Sequence, residues 1–176
     1  IGKPKACHYK EDGSISFHGH DIISTEIATK IMKFDMLASN EEVEAVTFMV
    51  RNHMKVHSVL DMKKSTIRKL VAEKHFDELL KLMESDCEGS IPEEEERFNI
   101  RFNGVEFLEE FIKNNKEAIK LPDRFLNGKD LIDLGFKPGP FFRETLDRFF
   151  DLQLEGAIKS KQEAIFIILQ EQEELE

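Results

Sequence analysis

Apolar side chains recur every three or four residues along most of this chain, which is the period of an α-helix with one face turned inward. Ile22, Ile23, Ile27, Ile31 and Met32 predict a helix over about 20–33. Ser39-Asn40-Glu41-Glu42 supplies an N-cap and an acidic first turn for a second helix to about His57, with Val43, Val46, Val50, His53 and His57 on its stripe. Shorter helices are predicted over about 65–72 and 76–86, the latter carrying Phe76, Leu79, Leu80, Leu82 and Met83. A long helix over about 92–119 follows the break at Cys87–Pro92, and Pro122 ends it. Further helices are expected over 129–134, from Pro140 to about Leu154 with Gly156 as the stop, and over 160–173. The first 19 residues lack this period, and Glu11-Asp12-Gly13-Ser14 reads as a turn at a short hairpin tip. No repeat and no clear strand pattern interrupts the series, so the predicted class is all-α.

Composition narrows the setting. The chain has 176 residues, 40% hydrophobic and 34% charged, enough to bury a core without a metal or disulfide staple. Cys7 and Cys87 make no disulfide framework and no metal-binding pair. The longest apolar run, Ala164–Leu169, is far too short to span a membrane. No basic-then-apolar signal opens the sequence, so a cytoplasmic setting is the expectation. The formal charge of −10 opposes nonspecific binding to phosphate backbones. Its distribution is uneven, because residues 113–161 hold ten basic and eight acidic side chains. That stretch is either a solvated helix face or the part that meets RNA.

Some polar groups fall on apolar stripes. His53 lies three after Val50 and seven after Val46, so it points inward, with His57 one turn further. Asp86 lies three after Met83 and seven after Leu79, which places a carboxylate on a buried face near a helix end. His20 stands at a helix start beside Asp21. A buried carboxylate must be paired, hydrogen-bonded or bound to a cation. Imidazole and carboxylate together suit zinc, manganese or iron. Taken singly, each of these residues is more often structural than functional.

Their order adds to this. Ile1-Gly2-Lys3-Pro4, Phe17-His18-Gly19-His20-Asp21, Asn52-His53 and Ser85-Asp86 together resemble the HD superfamily of metal-dependent phosphohydrolases. More narrowly they resemble the HD-type domain of the tRNA nucleotidyltransferase / poly(A) polymerase family, with Ser65-Thr66-Ile67-Arg68-Lys69 at that family's basic helix start. Independently, Leu126-Asn127-Gly128-Lys129-Asp130-Leu131-Ile132, Leu134-Gly135-Phe136-Lys137-Pro138-Gly139-Pro140, Leu146, Leu154-Glu155-Gly156 and Glu163-Ala164 are similar to the same family's C-terminal segment. The Lys-Pro-Gly-Pro block is the more specific of the two.

The resemblance implies an HD-type helical domain over 1–90, truncated at its start, and a helical RNA-binding body or tail over 91–176. In the family a His-Asp doublet directly precedes Ile-Gly-Lys-Pro, and this sequence opens at Ile1. By resemblance His20, His53 and Asp86 are the remaining ligands of a divalent metal, and Lys3 faces substrate phosphate. Lys137, Arg143 and Arg148 are the expected RNA-backbone contacts. The catalytic head, with its Gly-Ser element, paired carboxylates, magnesium and nucleotide, has no counterpart here. The expected partner is tRNA or another RNA 3′ end, and the chain alone is expected not to transfer nucleotides. The alternative is an HD-type phosphohydrolase acting on nucleotides or cyclic phosphates. Oligomeric state is not legible in the sequence.

Overall fold

The computed structural model describes residues 1–89 and 95–173 and is mainly α-helical. Strands β1 (His8–Tyr9) and β2 (Ile15–Ser16) form a two-residue antiparallel ladder, His8 opposite Ser16, around the expected hairpin tip. The helices are α1 (His20–Lys30), α2 (Asn40–Asn52), α3 (Lys64–Val71), α4 (Phe76–Gly89), α5 (Glu95–Asn114), α6 (Gly128–Asp133), α7 (Pro140–Glu155) and α8 (Lys161–Glu173). None of the described helices is long and apolar enough to cross a membrane.

Local chemistry sets several boundaries where the periodicity put them. Ser39 accepts from the Glu42 amide, and the Glu42 carboxylate accepts from the Ser39 amide at 2.8 Å, which starts α2 with two reciprocal bonds. Asn127 and Asp130 form the same box for α6. Other boundaries move. Helix α1 stops at Lys30 and widens into a π-turn over Ile31–Asp35. Helix α2 tightens into a 3-10 turn over His53–His57 instead of running on to His57. Helix α5 ends at Asn114, before a separate 3-10 turn Lys116–Ile119. The expected start of that helix at Pro92 lies outside the described residues.

The chain divides into two compact units, 1–61 with 73–114, and 62–72 with 115–176. Contacts define these bodies, whereas the division at residue 90 follows a break in sequence pattern. The core of the first unit holds Val43, Val56, Val59, Leu79, Met83 and Leu108, each at most 6% exposed. Each such side chain contributes about 1.5–3 kcal/mol by leaving water. Helix α5 packs on the 3-10 turn 53–57 at Gly104, where a β-carbon would lie only 2.3 Å from the Val56 carbonyl oxygen. Glycine is thus required by backbone contact, at the cost of helix propensity.

The second unit is built on Leu126, Leu131, Phe149, Ile158, Ala164 and Ile168. Its polar groups are tied across elements. The buried Gln153 side chain accepts from the Phe125 amide at 3.0 Å and donates to the Asp123 carbonyl at 2.8 Å, pinning the 123–125 segment to α7. Helix α3 lies on α7: Ser65 donates to Glu155 at 2.8 Å and Arg68 donates to the Leu154 carbonyl at 3.2 Å. Arg68 therefore caps the negative end of α7, and Lys69 pairs with Asp151.

Two predictions follow from this packing. Gly104→Ala gains about 1 kcal/mol in helix propensity but is expected to lower stability by about 1–3 kcal/mol net through overpacking against Val56, read as a lower urea midpoint. In the second unit, hydrogen bonds from Arg124, Lys161 and Arg148 hold the carboxyls of Asp147, Asp130 and Glu171 below their usual range. Their stabilising effect is complete above the ordinary carboxylate range near pH 4. It is lost as pH falls through the lowered folded values, because the unfolded chain then binds more protons. Urea midpoints are expected to drop between pH 5 and about pH 3, less so in Asp147→Asn and less in high salt, since these pairs are half-exposed.

Candidate functional site

In the first unit a cavity of about 670 Å³ is lined by Lys3, Ser16–Ile22, Met54, His57 and Asp86. Each wall has a local cause. Gly19 caps α1 in the left-handed conformation (φ 76°), which turns the chain from the β2 hairpin into the helix and places His20 at its first position. The 3-10 turn 53–57 contributes Met54 and His57. Residues three apart eclipse one another in a 3-10 helix, so these two share a face. The helical stripe of the sequence carried both His53 and His57, and His57 stands in the cavity wall beside Met54. Asp86 stands on α4, three residues before its end.

His20 is 8% exposed. Its Nδ1 donates to the Phe17 carbonyl at 2.8 Å, and His53 Nδ1 donates to the Val50 carbonyl at 2.7 Å. A carbonyl only accepts, so the facing ring nitrogen carries the proton and Nε2 of each neutral ring keeps its lone pair. The two rings meet edge to face, with centroids 5.4 Å apart. His20 Nε2 is buried without a hydrogen-bond partner. A buried lone pair left unsatisfied is costly and marks a place for a proton donor or a metal ion.

The structure thus brings His20 and His53 together, and puts His20 and Asp86 in the wall of one cavity. Asp86 is half-buried, less enclosed than its stripe predicts, and it makes interactions of its own. Among the described residues no group of three or more His, Cys, Asp or Glu side chains is gathered so as to hold a metal ion. The imidazole chemistry suits a transition metal, but these side chains do not complete a ligand set. Lys3 is exposed and at the cavity wall. His57 and Asp21 line the cavity beside the expected residues; their place on the helical stripe and at the helix start was the available signal. His8 and His18 are exposed.

The three tail cations differ in their freedom. Lys137 is exposed in the Lys-Pro-Gly-Pro turn that leads into α7. Arg143 is 90% exposed, with only a 3.8 Å approach to Asp147. Arg148 is held by both carboxylate oxygens of Glu171 and lies 4.6 Å above the Phe149 ring. Phe149 and Phe150 are core residues, whereas Phe141 is 53% exposed. It pairs with Phe136 at 5.9 Å beside a cleft of about 570 Å³.

No family model and no solved structure matches the chain. It is similar to a Deinococcus radiodurans protein named A-adding tRNA nucleotidyltransferase, with 27% identity over 168 residues, 93% of this chain and 38% of that protein. It is also similar to a Halalkalibacterium halodurans protein of the same name, with 37% identity over 78 residues, 43% of this chain and 17% of that protein. The chain therefore spans well under half the length of the curated relatives it matches.

Proposed function

We propose that this chain is part of a nucleotidyltransferase that acts on tRNA 3′ ends, and that it supplies an HD-type pocket and a tRNA-binding body rather than the transfer chemistry. The observation that carries this reading is the similarity to an A-adding tRNA nucleotidyltransferase over 93% of the chain. The exposed Lys137 and Arg143 beside the α7 N-terminus support the RNA contact, since ammonium groups, guanidinium groups and helix-terminal amides all bind phosphate. Arg148 reaches RNA only by leaving Glu171.

Gel shifts with tRNA test this. Lys137→Ala and Arg143→Ala are each expected to weaken binding at every salt concentration and to flatten the salt dependence by about one phosphate contact. Glu171→Gln is expected to tighten binding at low salt by releasing Arg148. Absence of any shift at low salt, where phosphate contacts are strongest, overturns the reading.

The unpartnered His20 Nε2 in a cavity that also holds Lys3 and Asp86 supports a second reading, a phosphohydrolase acting on nucleotides or cyclic phosphates. A divalent metal there would take its nitrogen donors from His20 and His53 and would need ligands beyond those described. When bound, it would polarise a phosphoryl group and activate water. Metal analysis of the purified chain tests it. A stoichiometric transition metal that is lost in His20→Ala, together with phosphatase activity, supports this reading; an inert, metal-free chain removes it.

A further inference from the structure

Gly2 is buried where no side chain fits. A β-carbon built on it would lie 2.6 Å from the His20 carbonyl oxygen, the Ser24 backbone nitrogen and Ser24 Oγ. Two of these three atoms are backbone of α1 and cannot rotate away. The contact is also bonded: the Gly2 amide donates to Ser24 Oγ at 2.8 Å, in a buried bond across 22 residues, and Ser24 is only 5% exposed. On its other side the Gly2 carbonyl accepts from the amides of Lys5 and Ala6 at 3.0 and 3.1 Å. These bonds form a 3-10 turn over Lys3–Ala6, and Ala6, 2% exposed, anchors its end. Lys3 lies between these two fixed points, and Pro4 restricts the backbone immediately after it.

The helix turn that Gly2 touches is the one that carries His20. One contact therefore ties the backbone from which the Lys3 side chain leaves to the first turns of α1. A lysine side chain is long and flexible, so its useful position depends on where its backbone is held. Position matters here because the Asp21 carboxylate lines the same cavity and repels an anion. An ammonium group must offset it, and the effect falls with distance. The unpartnered His20 Nε2 is an acceptor for the hydroxyl of a monohydrogen phosphate.

We propose that Gly2 and Ser24 are positioning residues: their buried contact holds Lys3 at the His20 cavity and so builds a seat for a phosphate group. This rests on the reading of the cavity as phosphate-handling, and its test is independent of tRNA binding.

The test uses the full chain and inorganic phosphate, followed through the ¹⁵N resonances of the His20 imidazole, with the exposed His8 ring, which lies outside the cavity lining, as reference. Four proteins are compared with wild type: Lys3→Met, Gly2→Ala, Ser24→Cys and the double variant of Ser24→Cys with Lys3→Met. Cysteine is slightly larger than serine and only a weak acceptor. Phosphate is expected to shift the wild-type His20 ring. Lys3→Met is expected to weaken phosphate about tenfold, the scale of one charged contact, with the ligand-free His20 resonances unmoved. Ser24→Cys and Gly2→Ala are expected to weaken phosphate comparably, again with the ligand-free His20 resonances unmoved. The double variant is expected to bind no more weakly than Lys3→Met, because Ser24 acts through Lys3. Full additivity in that cycle, or unchanged phosphate binding in Ser24→Cys, overturns the inference. If Gly2→Ala does not fold, Ser24→Cys and the cycle decide it. A wild-type His20 ring indifferent to phosphate removes the seat and leaves the tRNA reading to its gel shifts.

Discussion

The first unit depends on one close backbone approach, that of α5 to the carbonyl of Val56 at Gly104. With no β-carbon at Gly104, α5 rests directly on the 3-10 turn 53–57, and Val105 and Leu108 follow it into the core beside Val56 and Val59. That turn is also the segment that leaves α2 and carries Met54 and His57 to the cavity. A tighter helix rotates its residues by a larger angle than an α-helix does. Which side chains face the cavity is therefore decided by the same packing that closes the core. A mutation at Gly104 would act on the site without touching it.

Within the cavity, electrostatics is arranged by backbone more than by charge pairs. Carbonyls from Phe17 and Val50 engage Nδ1 of His20, which lines the cavity, and of His53, whose ring meets it edge to face, so Nε2 is the free acceptor of each ring when neutral. Carboxylates from α1 and α4 stand in the same wall, and Lys3 is the cation that lines it. Such a mixture binds neither a simple anion nor a simple cation by charge alone. It selects for a group that can meet a lone pair, an ammonium and nearby carboxylates in fixed places.

The second unit uses its charges differently. Arg124, Arg148 and Lys161 each have a partner within the unit, so a count of basic residues over 113–161 overstates what is free for RNA. Lys137 and Arg143 remain exposed at the Lys-Pro-Gly-Pro turn. The contrast between Arg143 and Arg148, five residues apart on one helix, shows why: Glu171 on α8 reaches one and not the other, and that pairing depends on how α8 folds back.

The sequence alone determined whatever depends on nearest neighbours along the chain. The 3.6-residue period, the Ser39–Glu42 box, the Gly156 stop and the Pro140 start yield the helices and the all-α class, because capping and amphipathicity are local. It also supplied His20, His53 and Asp86 as a set worth finding together, and the structure brings the first two ring to ring. Tertiary structure decided the rest. It tightened the helix at His53 and brought Met54, which is off the predicted stripe, to the cavity beside His57. It assigned Arg68 to the end of α7 and Arg148 to Glu171. It made Gly2 and Gly104 contact points, since the need for glycine came from the backbone of another segment lying 2.3–2.6 Å from where a β-carbon would stand. Periodicity records which face of a helix is buried, but not what it is buried against.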